Sequence, residues 1–113
     1  MKKRWPANYL RAHRKRAGLS QRDLGRLLGS NDPGMVSRHE RASSLPSLLV
    51  ALAYERIYRV PVASLFGELQ ANIRTQIDSN LSELESKLGQ RSALDRGADL
   101  IAQKLMWLQQ RRG

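Results

Sequence analysis

Arginine and lysine are the side chains in this sequence with the most chemistry to offer. Residues 1–67 carry 13 of them against 4 Asp and Glu, whereas residues 68–113 carry 7 against 6. A cationic surplus confined to one stretch suits a polyanionic partner, and nucleic acid is the simplest such partner. A basic surface kept only for solubility would not be partitioned in this way. Other reactive types are scarce. The absence of cysteine excludes a disulfide framework, thiolate metal ligands and a cysteine nucleophile. His13 and His39 stand far apart in the sequence and offer no metal-ligand spacing, so neither a metal nor another cofactor is expected. Paired carboxylates and a Ser/His arrangement are missing. The stretch from Gly29 to Gly34 has no strand before it and no lysine after it, unlike a phosphate-cradling loop. No enzymatic activity is expected.

The elements that must hold these cations are modest. At 113 residues and 12.8 kDa there is room for one compact domain with an appendage. The hydrophobic content of 41%, with only 5% aromatic, predicts an aliphatic core. Leu48 to Tyr54 is the longest apolar run and is too short to span a bilayer. Lys2, Lys3 and Arg4 are not followed by the apolar stretch of a signal peptide, so a soluble cytoplasmic protein with no membrane role is expected. No segment alternates with period two, which predicts an all-α fold.

Helix signals recur along the first 67 residues. Ala7 to Ala17 reads as a helix closed by Gly18. Ser20-Gln21-Arg22-Asp23 has the spacing of a capping box, followed by Leu24, Leu27 and Leu28 and a stop at Gly29. Asn31-Asp32-Pro33 is a start signal for a helix over 32–41, with Asp32 read more readily as its cap than as a reader of bases. A fourth helix, opened by Ser43, Ser44 and Pro46, is expected to bury Leu48, Leu49, Leu52, Ala53 and Ile57. After Val60-Pro61, one short turn covers Val62 to Phe66. Beyond Gly67 the pattern lengthens. Leu69, Ile73, Ile77, Leu81, Leu84 and Leu88 recur at three- and four-residue steps, Gly89 interrupts, and Ser92-Ala93-Leu94-Asp95 reopens a helix carrying Ala98, Ile101, Leu105 and Leu108. Residues 68–113 therefore read as a helical hairpin. Its apolar stripe exceeds what residues 1–67 need to cover, so Leu81, Leu84, Leu88, Ile101, Leu105 and Leu108 are the candidates for a dimer or partner interface.

Two short helices joined by a glycine turn in a basic context describe a helix-turn-helix. Gly18-Leu19-Ser20-Gln21, Leu24-Gly25-x-x-Leu28-Gly29, Val36-Ser37-Arg38-His39-Glu40-Arg41 and Leu45-Pro46-Ser47-Leu48 together resemble the XRE (Cro/CI-type) helix-turn-helix family of phage repressors and bacterial regulators, over about residues 7 to 67. The resemblance implies a five-helix DNA-binding domain ahead of the hairpin. It implies that Gly25 stays small because the motif helices cross closely, and that Leu24, Leu28 and Val36 pack between them. Arg14 and Glu40 would form an orienting ion pair. Gln21 and Arg22, opening the second helix, would meet phosphate, and the third helix would enter the major groove of double-stranded DNA.

Pro33 and Gly34 occupy positions where polar base-reading side chains are common in that family, so readout shifts to neighbours. Arg38 suits guanine O6 and N7. Asn31 and Asp32 can pair with base edges, and Met35 can touch a thymine methyl or join the core. Ser37, Arg41 and Ser43 are expected on phosphate. His39 replaces an apolar residue and is read as partly buried. Lys2-Lys3-Arg4 reads equally as a DNA-reaching arm or a solvated tail. The leading function is a homodimeric, sequence-specific transcriptional regulator, read as a repressor, of bacterial or phage origin. The alternative is a DNA-binding antitoxin whose hairpin grips a toxin.

Overall fold

The computed structural model describes residues 4–91 and 98–112. Among them every regular element is helical: α1 (Leu10–Arg16), α2 (Gln21–Leu27), α3 (Met35–Glu40), α4 (Leu48–Tyr58), α5 (Val62–Leu65), α6 (Gly67–Arg91) and α7 (Ala98–Arg112). The chain divides into two compact units, Met1–Asn72 and Ile73–Gly113, with α6 starting in the first and continuing in the second.

Local chemistry sets the short helices of the first unit. Asn8 Oδ1 accepts from Leu10 N–H at 3.0 Å, starting α1 later than its apolar pattern suggests. Gly18, at φ +74°, turns the chain out of it. Ser20 Oγ accepts from Asp23 N–H and Asp23 Oδ2 accepts from Ser20 N–H, both at 3.0 Å, so the capping box at the head of α2 is complete. Gly29, at φ +67°, ends that helix. α3 is shorter than the 32–41 expected from sequence. The Asp32 carboxylate is used one turn earlier, accepting from Gly34 N–H at 3.0 Å, so Asp32 and Pro33 close a turn rather than open the helix. At the other end Ala42 takes a left-handed conformation at φ +59°, and Arg4 and Trp5 both donate their backbone N–H to its carbonyl.

Leu10, Leu24, Val36, Tyr54, Leu65 and Phe66 form the core of this unit, with Leu28 and Ile57 packed against it. Each full burial of this kind contributes roughly 1.5–3 kcal/mol. α4 turns the opposite face inward from the one its leucines suggested. Ala51 and Tyr54 are buried, while Leu48, Leu49 and Leu52 are 76%, 79% and 52% exposed. Apolar residues run all round the first two turns of this helix and give periodicity no single face to choose. Tyr54 decides it, because its hydroxyl reaches Nδ1 of buried His39 at 2.9 Å and would lose that partner on any other face. The helix closes on Ser47, whose hydroxyl accepts from Val50 N–H, and on Arg59 at φ +56°.

Gly25 also departs from expectation. A Cβ built on it meets nothing within 4 Å, so close helix crossing is not what excludes a side chain there. In the second unit α6 continues through Gly89 to Arg91, since one glycine costs a helix only about 1 kcal/mol. Leu88, Ile101 and Leu108 are buried together, with Leu81 and Leu105 packed on them, so α6 and α7 face each other. The Ser92-Ala93-Leu94-Asp95 start signal lies outside the described residues.

Candidate nucleic-acid interface

The relative pose of α1, α2 and α3 is set by one carboxylate. The Glu40 side chain, 2% exposed at the end of α3, accepts from Arg14 Nε at 2.6 Å and from Arg14 Nη2 at 3.1 Å. Gln21 Nε2 adds a third bond at 3.1 Å, and Arg14 Nη1 donates onward to the Leu19 carbonyl at 2.9 Å. Three helices are thus tied at one point, and the hydrogen bond that Arg14 donates to Glu40 holds its guanidinium above the usual arginine range. Arg14 and Glu40 are therefore in contact as the resemblance implied, and Gln21, expected on phosphate, spends part of its amide on the same carboxylate.

Around this anchor several of the remaining candidates line two concavities. A groove of about 620 Å³ is lined by Gln21, Arg22, Arg26, Asn31, Asp32 and Pro33, with Gly25, Ser30 and Val36 completing it. A smaller basin of about 250 Å³ gathers Arg11, Arg14, Gln21, Ser37, Glu40 and Arg41. Gln21 borders both. The groove therefore collects Arg22, Asn31 and Asp32, and the basin collects Ser37 and Arg41. Arg38 stands on α3 with its side chain 42% exposed, paired through Nη2 with Asp32 Oδ2. Met35 is half-buried, and its sulfur lies 3.7 Å from Ser30 Oγ. Ser43 is turned inward: its hydroxyl donates to the Arg38 carbonyl at 3.2 Å and its N–H to the same oxygen at 3.1 Å, closing α3. That geometry corrects the phosphate role for Ser43, since the hydroxyl proton is already engaged.

Electrostatics inside the motif are distinct from those on its surface. Hydrogen bonds from Arg38 and from Gly34 N–H hold the Asp32 carboxyl below its ordinary value. His39 is pushed down by burial and by the neighbouring Arg38 charge, so its imidazole is neutral in the folded chain at neutral pH. It is a core residue, 5% exposed, and Asn8 Nδ2 donates to its carbonyl at 2.8 Å. Arg11, Arg26 and Asn8 were not singled out from sequence. Arg26 lies four residues after Arg22, a spacing that places both on one face of a helix; Asn8 left no such trace.

The leucines assigned to an interface divide by exposure. Leu88, Ile101 and Leu108 are spent inside the single chain, and Leu81 and Leu105 flank them. Leu84 is 44% exposed, alongside exposed Ile73, Ile77, Leu100, Met106 and Trp107. Leu84 is thus the one expected interface leucine that is exposed. Among the described residues, no group of three or more acidic or histidine side chains could hold a metal ion, and no helix is long and apolar enough to cross a membrane. Lys2 and Lys3 lie outside the described residues.

No curated protein and no solved structure matches the chain. A helix-turn-helix family model does match it, over residues 10–65, which runs from the first residue of α1 to the last of α5. The span includes the capping box of α2, the α2–α3 turn and the Arg14–Glu40 anchor. Through residues 10–65, the chain belongs to the XRE-type helix-turn-helix family of DNA-binding regulators.

Proposed function

We propose that this protein is a sequence-specific transcriptional repressor that binds DNA as a homodimer, working in the cytoplasm of a bacterium or from a phage. Residues 1–67, followed by 68–113, would divide the labour between DNA binding and association. α3 enters the major groove. Arg22 and Arg26 from the groove side, and Arg11 and Arg41 from the basin side, then neutralise phosphates on the flanking strands. Arg38 and Asn31 read base edges, with Arg38 on guanine. The observation that carries this reading is the distribution of cations: arginines line two concavities that both border α3, and the Asp32–Arg38 pair beside them is exposed.

The test compares variants on a duplex chosen from a random library. Arg22→Ala and Arg41→Ala should each weaken binding alike on all sequences and reduce the slope of log K against log salt by about one. Arg38→Ala should instead relax one base position. A chain that binds no duplex at low salt would end the proposal.

Repression would follow from occupancy of an operator. Association rests on the exposed apolar residues of the second unit, with Leu84 between Ile77 and the buried Leu88 on α6. Those same residues suit the antitoxin reading. A chain that sediments as a dimer, and as a monomer after Leu84→Asp, supports self-association. A monomeric chain that co-purifies with one small protein supports the antitoxin.

A further inference from the structure

We infer that Asp32 is a positioning residue for base readout: it grips one edge of the Arg38 guanidinium over Gly34 and leaves the rest of the fork for guanine. This rests on the proposal that Arg38 reads a base. Asp32 itself is fixed on both sides. Its N–H donates to Ser30 Oγ at 3.1 Å, its Oδ1 accepts from Gly34 N–H at 3.0 Å, and its Oδ2 takes Arg38 Nη2. The carboxylate thus ties the turn ahead of α3 to a side chain one turn inside the helix.

Gly34 leaves room for the arrangement. A Cβ built there would lie 2.7 Å from Arg38 Nη1 and 3.9 Å from Cζ, so the Nη1 end of the guanidinium occupies space that a methyl group would take and would have to shift to admit one. Pro33 and Gly34 cannot read bases themselves, and that gap is what the held arginine fills. A guanidinium carries five N–H donors in one plane, and Asp32 takes a bond at only one nitrogen. The other donors remain in a fixed plane, which matches the paired acceptors O6 and N7 of guanine. Holding the fork before DNA arrives removes freedom that would otherwise be lost on binding.

A carboxylate so close to DNA has a second consequence with the opposite sign. It repels phosphate, so it lowers affinity for every sequence while raising the preference for one base. A residue that merely stabilised the turn would not separate those two effects.

The experiment measures equilibrium binding of the full chain to its selected duplex, to the three variants at the base position that Arg38 reads, and to random-sequence duplex. Arg38→Ala should lower the guanine preference roughly tenfold. Asp32→Asn keeps an acceptor for Gly34 N–H but loses the charge. It should lower the same preference about threefold or more while raising affinity for random duplex. Gly34→Ala, whose methyl would crowd Arg38 Nη1 while standing at ordinary contact distance, 3.7 Å, from Asp32 Oδ1, should relax the same position. It serves as the independent arm if Asp32→Asn lowers the unfolding temperature. Full guanine preference in Asp32→Asn, with loss in Arg38→Ala, overturns the inference and leaves Arg38 as a reader. Full preference in Arg38→Ala overturns both.

Discussion

Replacing Glu40 with alanine should cost this protein about 3 kcal/mol, and the structure shows where that energy goes. The lost carboxylate receives two bonds from Arg14 and one from Gln21. Truncation strands a guanidinium whose side chain is only 11% exposed, leaving it one backbone carbonyl, that of Leu19. Breaking a buried ion pair by removing one partner costs about 3–5 kcal/mol. The low end applies here, because Arg14 still touches solvent and keeps its carbonyl. Against a total stability of about 5–15 kcal/mol this is a large fraction. The double variant Arg14→Met/Glu40→Leu should recover most of the loss, since apolar replacement of a whole buried pair is often neutral. Urea unfolding of the full chain, followed by circular dichroism, gives the free energy from the midpoint at constant slope. A loss below about 1 kcal/mol for Glu40→Ala, in the range of a surface pair, would refute the claim that this carboxylate sets the pose of three helices.

Gly25→Ala should stabilise the protein by about 0.5–1 kcal/mol in the same urea experiment, because α2 gains helix propensity and the new methyl meets nothing within 4 Å. A destabilising result would mean that the methyl has a neighbour after all. Arg59→Gly should also stabilise, by about 1 kcal/mol, since a left-handed residue ending α4 suits glycine; thermal unfolding reads it. The folded chain holds His39 below its ordinary 6.5, so the unfolded chain binds the extra proton first as pH falls. Stability should therefore be fully present above about pH 6.5 and decline as pH drops below it. Unfolding temperatures between pH 7.5 and 5 should show this decline, and His39→Leu should flatten it. An unchanged slope would place the titration elsewhere.

What was legible in the sequence was what depends on neighbours in the chain. Ser20 and Asp23 are three residues apart and their two reciprocal bonds follow from that spacing alone. Gly18 and Gly29 end their helices for an equally local reason, a positive φ. The face of α4 was not legible, because Leu48, Leu49 and Leu52 on one side compete with Ala51, Tyr54 and Tyr58 on the other. The contest is settled by His39, fifteen residues away. Asp32 carried a true capping signal, yet the carboxylate serves a turn and an arginine six residues on, and no propensity encodes that rotamer. Gly89 reads as a stop only if local cost outweighs packing; with Leu88 buried beside it, packing prevails.

The central claim, that residues 10–65 present a base-reading α3, is tested most directly by selecting bound duplexes from a random library at near-physiological salt. The account predicts enrichment of an inverted repeat whose half-sites each contain a guanine, with centres one helical turn or a multiple of it apart. Absence of any enriched sequence, with binding that disappears as salt rises, would mean that the cations coat DNA without reading it, and would contradict the account.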